Sequence, residues 1–339
     1  MIYMLLGFRT HRIGLSADVE KAFHKIQLHK ADRDFVRFLW LRDDKDAGSD
    51  FDIYRFKVIP YGASSSPFIL NSVIKKHLQG FSTPVSVDIE SHIYVDNLIS
   101  GCETITEAFN YYTESRSIFA AASLSLQSWA FYDPSLNKQA TLDGITDISP
   151  LTKTLATKRD LLRGISSIYD PLRFISPLSI PARILIQEIW KEKLDWDDHL
   201  PPPFSDRWIL LASSLANASP KISRSYFETK NRVHSLHVFV DASQQAYGAV
   251  AYLLDGDHSS FVMSKARVAP LKGNGPQLTL PQPELMAAVI GTLLASSIIN
   301  AFKKLAISLS VTMWSDSQIV LYWLSKSDRI KNRFISNRV

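Results

Sequence analysis

The chain has 339 residues, is 46% hydrophobic and 21% charged, and carries a formal charge of +5. That length allows two or three domains with their own cores, and the composition excludes intrinsic disorder. A single cysteine, Cys102, excludes an intramolecular disulfide framework and a cysteine-rich zinc site.

From the N-terminus, the apolar start Met1 to Leu6 is cut short by Gly7, Arg9, His11 and Arg12, which argues against a signal peptide. No uninterrupted apolar run reaches the roughly 18 residues of a membrane span, so no membrane partner is expected. Leu15 to Asp18 reads as a short strand ending in an acid. Phe35 to Leu41 and Asp52 to Ile59 read as the strands of a hairpin. Ser66 to Leu78 has the apolar spacing of a helix, with Ser64 to Ser66 as a cap before Pro67. His92 to Val95 and Asn97 to Ser100 read as two strands around Asp96, and Ile105 to Leu124 as an amphipathic helix.

The turn formers between Phe131 and Pro150 mark a connection. Thr157 to Trp196 is mainly helical, with Ile184, Leu185, Ile189 and Trp190 as an apolar stripe. Pro201 to Pro203 break the pattern, since neither a helix interior nor a central strand accepts them. A strand follows at His237 to Val240, then Asp241, then a return through Gly248 to Leu254. After a Gly/Pro loop from Leu271 to Pro283, a helix runs to about Leu305 with Pro283 in its first turn. Ile307 to Met313 is the next strand and Ser317 to Leu324 the next helix. Cys102 is expected as a buried apolar residue, His234 and His237 as surface or satisfied core residues, and Trp190 and Trp196 as core.

Two acids, Asp18 and Asp96, follow short apolar strands. Neighbouring strands would bring both to one sheet edge, where paired carboxylates suit Mg²⁺. Each acid alone could equally cap a strand or start a turn. A second set, Asp241, Glu284 and Asp316, falls at a strand end, a helix first turn and another strand end. Glu284 could there complement the helix dipole and Asp316 could cap the following helix. The basic run Lys326, Arg329, Lys331, Arg333 and Arg338 suits a phosphate backbone or a solvated helix end, and the pI near 9.1 leans towards a polyanion.

The strings LSADVEKAFHKI, YRFKVIPYGASSSPF and IYVDN occur in the order of reverse transcriptase palm motifs, and the chain resembles BEL/Pao-type LTR retrotransposon polyproteins. TKRDLLRGISSIYDPLRFISPLSIPARILIQEIWKEKLDWDD is similar to the segment that follows the palm in that group. The resemblance implies metal-binding aspartates at Asp18 and Asp96. It makes Phe23 the aromatic that screens out a ribose 2′-OH, and places Tyr61 and Gly62 beside the incoming nucleotide. In the last block it implies an RNase H fold whose acids are Asp241, Glu284 and Asp316. The implied cofactor is Mg²⁺ or Mn²⁺. The implied partners are an RNA template, a DNA primer, an RNA–DNA hybrid and dNTPs, in the cytoplasm or within retrotransposon particles.

The expected fold is mixed α/β (α+β): a truncated palm over 1–130, a mostly helical thumb and connection over 131–235, and an incomplete RNase H-like domain over 236–339. The expected function is RNA-directed DNA synthesis with hybrid-RNA cleavage by two-metal phosphoryl transfer. The alternative is a non-catalytic nucleic-acid-binding remnant of the same element. Departures from the family bear on activity. Seventeen residues precede Asp18, so most of the fingers is expected to be missing. Asn97 stands where a second aspartate is usual, and Arg173 where glycine is usual. The sequence stops at Val339, ahead of the expected fourth RNase H acid. The middle region resembles a group labelled Pao retrotransposon peptidase. Asp241-Ala242-Ser243 and Asp316-Ser317-Gln318, however, lack the glycine of an aspartic peptidase turn, so peptidase activity is not expected.

Overall fold

In the computed structural model the residues described are 2–46, 48–131, 157–166, 168–192, 194–218, 222–223, 225–227, 234–270, 279–326 and 332–338. The connection expected over 132–150, most of the Gly/Pro loop (271–278), and Arg329 and Lys331 lie outside them, as does the side chain of Arg333. The chain divides into two compact units, residues 3–149 and 150–339. Helix and sheet occur in both, as expected of a mixed α/β fold.

The first unit begins with α1 (Ile2–Phe8) and β1 (Ile13–Val19). Along β1 the two-residue period of a strand buries Leu15, Ala17 and Val19 on one face and leaves Ser16 and Asp18 half-buried on the other. After α2 (Ala22–Lys25) and a 3₁₀ turn (Lys30–Val36), β2 (Arg37–Leu41) and β3 (Phe51–Arg55) form a separate antiparallel ribbon. Beyond Phe56, whose N–H donates to Val36 O, residues 57–59 leave that ribbon. Leu28 N–H donates to Lys57 O and Ile59 N–H to Ile26 O, which ties this stretch to the chain just after α2.

Helix α3 (Ser66–Leu78) buries Leu70, Ile74 and Leu78 at four-residue spacing. Its start differs from the expected serine cap. The Ser66 hydroxyl donates to Pro60 O at 2.7 Å, and the N-cap residue Ser65 makes no side-chain cap bond. The strand expected from His92 is shorter, because Thr83 and Ser86 close a capping box that starts α4 (Pro84–His92). Only Ile93–Tyr94 (β4) remain extended before the turn into β5 (Asn97–Cys102). A second capping box, Thr104 with Glu107, starts α5 (Ile105–Ala121), and β6 (Leu126–Phe131) completes a sheet of order β4-β5-β1-β6. Trp129 and Phe131 stack at 5.5 Å in the core beneath it, and Cys102 is buried as expected.

In the second unit come α6 (Lys158–Ser166), α7 (Ser176–Lys191) and α8 (Pro202–Ala216). The proline run at 201–203 starts α8, where a missing N–H costs no helical bond. Of the expected stripe, Leu185 and Ile189 are buried while Trp190 is 44% exposed. Trp190 and Trp196 are not core residues. Both rings flank the ammonium of Lys158, at 4.9 and 5.0 Å, and Lys158 donates to Leu194 O.

Strands β7 (His234–Ala242), β8 (Ala246–Asp255) and β9 (His258–Val268) form an antiparallel meander, and β10 (Leu309–Ser315) joins β7 in parallel, giving the order β10-β7-β8-β9. Helix α9 (Pro281–Lys304) covers one face of this sheet. It is long and apolar enough to cross a membrane by length and composition, but its apolar residues Leu285, Ile290, Leu294 and Ile298 are buried in the unit. Contact is closest at Gly291, where an added Cβ would lie 2.4 Å from Val240 Cγ1. Helices α10 (Gln318–Ser325) and α11 (Arg333–Ser336) follow β10. His234 is buried and lies 3.3 Å from Asp255, while His237 accepts a hydrogen bond from Trp314 Nε1.

Candidate active sites

Strand register sets the geometry of the first site. Asp18 on β1 is the Cα partner of Asn97 on β5, and β4 pairs Ile93 with Leu98 and Tyr94 with Asn97. Val95 and Asp96 are therefore the two residues of a tight hairpin turn. The Asp96 carbonyl accepts the Val19 N–H at 2.8 Å, which fixes the turn against β1. Val95 sits at φ +60°, a position a branched side chain rarely takes and that glycine favours in such turns. Strain is thus held beside the acid, as is common at working sites.

The two sequence-predicted acids come together here. Burial, and then the negative charge of Asp96, hold the Asp18 carboxyl above the usual carboxylate range. Asn97, in place of a second aspartate, donates from Nδ2 to Asp96 Oδ1 at 2.8 Å and so orients that carboxylate.

Asp96 and Asn97 lie on the wall of a cleft of about 470 Å³, together with Phe23, Tyr61, Gly62 and Tyr94. The Ile26–Ile59 and Ser66–Pro60 hydrogen bonds bring the Tyr61 turn back over α2, where Tyr61 meets Phe23 edge-on at 5.3 Å. Gly62 has φ +87°, the left-handed region that glycine enters freely, and no protein atom lies within 4 Å of an added Cβ. The requirement for glycine is conformational there. Tyr94, Ser64 and Ser66 also line the cleft. Small hydroxyl residues beside a glycine suit the close approach of a sugar-phosphate as well as a helix cap, whereas nothing in its residue type singles out Tyr94.

The second acid set lies on β7, α9 and the end of β10. Val240 pairs with Ser315 in parallel register, and the next residues along are Asp241 and Asp316. Both acids are exposed. Asp316 is not the cap of α10, since the Ser317 hydroxyl accepts the Val320 N–H in that role. The Ser317 hydroxyl also donates to Glu284 Oε2, linking the start of α10 to the first turn of α9. Among the described residues, no three His, Cys, Asp or Glu side chains gather as a metal-binding group. Of the basic run, Lys326 is exposed after α10, while the Arg338 guanidinium lies over the Phe334 ring and donates to Phe334 O.

Asp241 also faces a cavity of about 700 Å³ between α7 and the outer face of the β7–β9 sheet, lined chiefly by apolar side chains. The preceding turn, Asp170 to Arg173, anchors that wall. Asp170 accepts the N–H groups of Phe174 and Ile175, Ser264 N–H donates to Leu172 O, and Ser264 Oγ donates to Arg173 O. Arg173 has φ +62°. This explains why glycine suits the position, and an arginine there carries strain.

Comparison with known proteins now adds the family. Residues 7–128 match the model for reverse transcriptase (RNA-dependent DNA polymerase), and residues 157–317 match that for the Pao retrotransposon-like RNaseH-like domain. No curated protein matches the sequence. Among solved structures, the foamy viral protease-reverse transcriptase in complex with RNA/DNA hybrid is similar over 99% of this chain and 43% of that one, at 15% identity and TM-score 0.56. Two other foamy viral protease-reverse transcriptase structures are similar too. A dRH form with double-stranded DNA covers 94% of this chain and 53% of that one at 16% identity, TM-score 0.54. A second complex with double-stranded DNA covers 97% and 68% at 13% identity, TM-score 0.51. The chain thus spans about half the length of the first solved structures it matches, and the likeness shows the fold. Together the two matches give a chain in which a reverse transcriptase segment is followed by a Pao retrotransposon-like RNaseH-like domain.

Proposed function

We propose that the chain carries out RNA-directed DNA synthesis in its first unit and cleaves the RNA of an RNA–DNA hybrid in its second. The observation that carries the polymerase reading is the Asp18–Asp96 pair, whose charges act on each other beside the cleft of Phe23, Tyr61 and Gly62. An all-oxygen pair of repelling carboxylates fits a divalent cation, Mg²⁺ or Mn²⁺, better than it fits a structural ion pair. Reverse transcriptase and RNase H-like families generally use such ions. When bound, the ion would lower the pKa of the attacking hydroxyl and offset charge on the departing pyrophosphate.

The chain's own residues supply position. Asp96 puts negative charge on the cleft wall with Asp18 on the neighbouring strand β1, and the Asn97 amide holds Asp96 in one orientation. Phe23, buried and braced by Tyr61, forms a wall where a ribose would lie and leaves no hydrogen-bond partner for a 2′-OH. Gly62 and the small side chain of Ser64 allow a template–primer close approach, while the Ser66 hydroxyl holds the turn through Pro60 O. The substrates on this reading are an RNA template, a DNA primer and dNTPs, in the cytoplasm or within particles of the element.

In the second unit, Asp241 and Asp316 end adjacent parallel strands, and Glu284, tethered by Ser317, would complete the acid set. Binding of hybrid without cleavage has a specific observation in its favour in this unit, since no three acids gather among the described residues. Primer extension on poly(rA)/oligo(dT) with Mg²⁺, set against Asp18→Asn and Asp96→Asn, tests the polymerase reading. Cleavage of a labelled hybrid, set against Asp241→Asn, separates nuclease from binding module. Extension no greater than that of the aspartate variants overturns the first, and uncleaved but bound hybrid selects the second.

A further inference from the structure

Arg173 and Arg183 are both half-buried, and among the described residues neither guanidinium forms a hydrogen bond or an ion pair. The nearest carboxylates in sequence are already engaged: Asp170, near Arg173, accepts two backbone N–H groups, and Glu188, near Arg183, pairs with Arg207. Arg173 lines the cavity that also reaches Asp241. Arg183 lies three residues after Ile180, which lines the same cavity, and four before Gln187, which donates to Ala269 O just beyond β9. Helical spacing therefore sets Arg183 on the face of α7 turned towards the sheet. Burial first, and then the charge of Arg173, hold the Arg183 pKa below its usual value.

Arg173 on the cavity wall and Arg183 on the adjoining turns of α7, each without an ion-pair partner, put positive charge at the end of the cavity away from any carboxylate but Asp241, and an anion beside Arg173 would offset it. Guanidinium forks match phosphate oxygens in a bidentate way. The wall beside them is apolar and aromatic, with Phe174, Ile184, Phe239 and Phe261, and suits a sugar and a base. Asp241 and Ser243 form its polar end.

We infer that Arg173 and Arg183 form a phosphate clamp that seats one strand of a nucleic acid along the α7 wall, in register with Asp241. This rests on the reading of the second unit as a hybrid-binding module. It adds a contact supplied by the helical segment rather than by the sheet. The occupant is a phosphodiester of the strand, and the same chemistry would take free phosphate more weakly.

The test uses the full chain and the double variant Arg173→Gly with Arg183→Ala. Glycine suits the positive φ of residue 173 and alanine suits a helix, so the variant removes both cations while keeping the backbone, and its melting curve checks that it folds. Binding of a labelled RNA–DNA hybrid is followed by anisotropy in metal-free buffer between about 50 and 200 mM salt. The expected result is a log–log salt slope shallower by roughly one to two units in the variant, since each neutralised phosphate contributes about 0.9. An unchanged slope overturns the clamp. If the unaltered chain binds no hybrid, the reading of the second unit fails. The clamp is then decided by phosphorus NMR of inorganic phosphate. Broadening by the chain and not by the variant supports an anion site, and equal broadening overturns it. Arginine-dependent binding of polyglutamate without binding of hybrid overturns the assignment to a nucleic-acid strand.

Discussion

The two acid sets are built on opposite principles. In the first unit, an antiparallel hairpin places Asp96 in a tight turn against β1, and its charge adds to burial in raising the Asp18 pKa. In the second, Asp241 and Asp316 are carried to the ends of parallel strands, exposed, while Glu284 is held by a serine on a separate helix. A hairpin fixes a carboxylate pair by local backbone bonds. A parallel pair can do so only through a crossover, here α9. The first site is thus assembled by the fold alone, whereas the second depends on how α9 seats on the sheet.

The comparison breaks most sharply in activity. Asp96→Asn and Asp18→Asn keep the size of the side chain and remove its charge, and each is expected to lower primer extension by at least about 100-fold, the scale of losing one transition-state electrostatic contact. Asn97→Asp, which restores the usual second acid but removes the donor to Asp96, is expected to change extension far less. Steady-state extension rates on the three variants check this. Equal losses at 18, 96 and 97 would mean that the hairpin, and not the acid pair, is what matters.

Seating of the second site is tested at Gly291. An alanine Cβ would overlap Val240 Cγ1, immediately before Asp241. Overpacking of this kind costs about 1–3 kcal/mol, offset in part by roughly 1 kcal/mol of helix propensity. Gly291→Ala is expected to lower the melting of the second unit and its affinity for hybrid while primer extension persists. Loss of both activities together would show that the two sites are not independently built.

Much of this was legible in the residues. The alternation along Ile13–Val19 and the IYVDN string point to adjacent strands, and the acids at their ends follow. What the sequence could not show is register, because that depends on which strands pair, and one residue's slip would turn Asp18 to the buried face. The ambiguity between cap and ligand at Asp316 resolves only when Ser317 is seen in the cap. Trp190 and Trp196 looked like core because spacing reports a face and not its neighbour, and here the neighbour is the Lys158 ammonium. Arg173 shows the reverse case. The sequence marks it only as a departure from the family's glycine, and its positive φ makes it a strained residue beside a cavity.

A smaller effect sharpens the view of the first site as a repelling pair. A raised Asp18 pKa means that its contribution to stability is present below about pH 3.9 and is lost as pH rises through the folded value. At neutral pH the ionised pair therefore works against the fold. Asp18→Asn is expected to raise the melting temperature of the metal-free chain at pH 7.5 while abolishing the rise that Mg²⁺ gives the unaltered chain. That rise corresponds to about 2.7 kcal/mol at a hundred times Kd. Calorimetry with and without Mg²⁺ checks both signs. A variant that melts lower and still responds to Mg²⁺ would remove Asp18 from the site.

The smallest effect comes from acids and a base that attract. Burial alone would raise the Asp88 pKa, but the hydrogen bond and charge of His92, 2.8 Å away, outweigh it, and the Ser100 and Tyr111 hydroxyls add to the lowering. Burial would likewise lower His92, and Asp88 holds it above its usual value. The Asp88 contribution is present above about pH 3.9 and is lost as pH falls through the lowered folded value. The His92 contribution is present below about pH 6.5 and is lost as pH rises through the raised one. The first unit should then be most stable between those limits and lose stability by pH 8.5. Asp18 loses stability in the same direction as pH rises, but its change centres nearer the carboxylate range. Melting His92→Gln at pH 5.5 and 8.5 isolates the histidine. If the variant keeps the same alkaline loss, that loss belongs to another group, and the attraction at Asp88 contributes nothing that distinguishes the two kinds of acid in this unit.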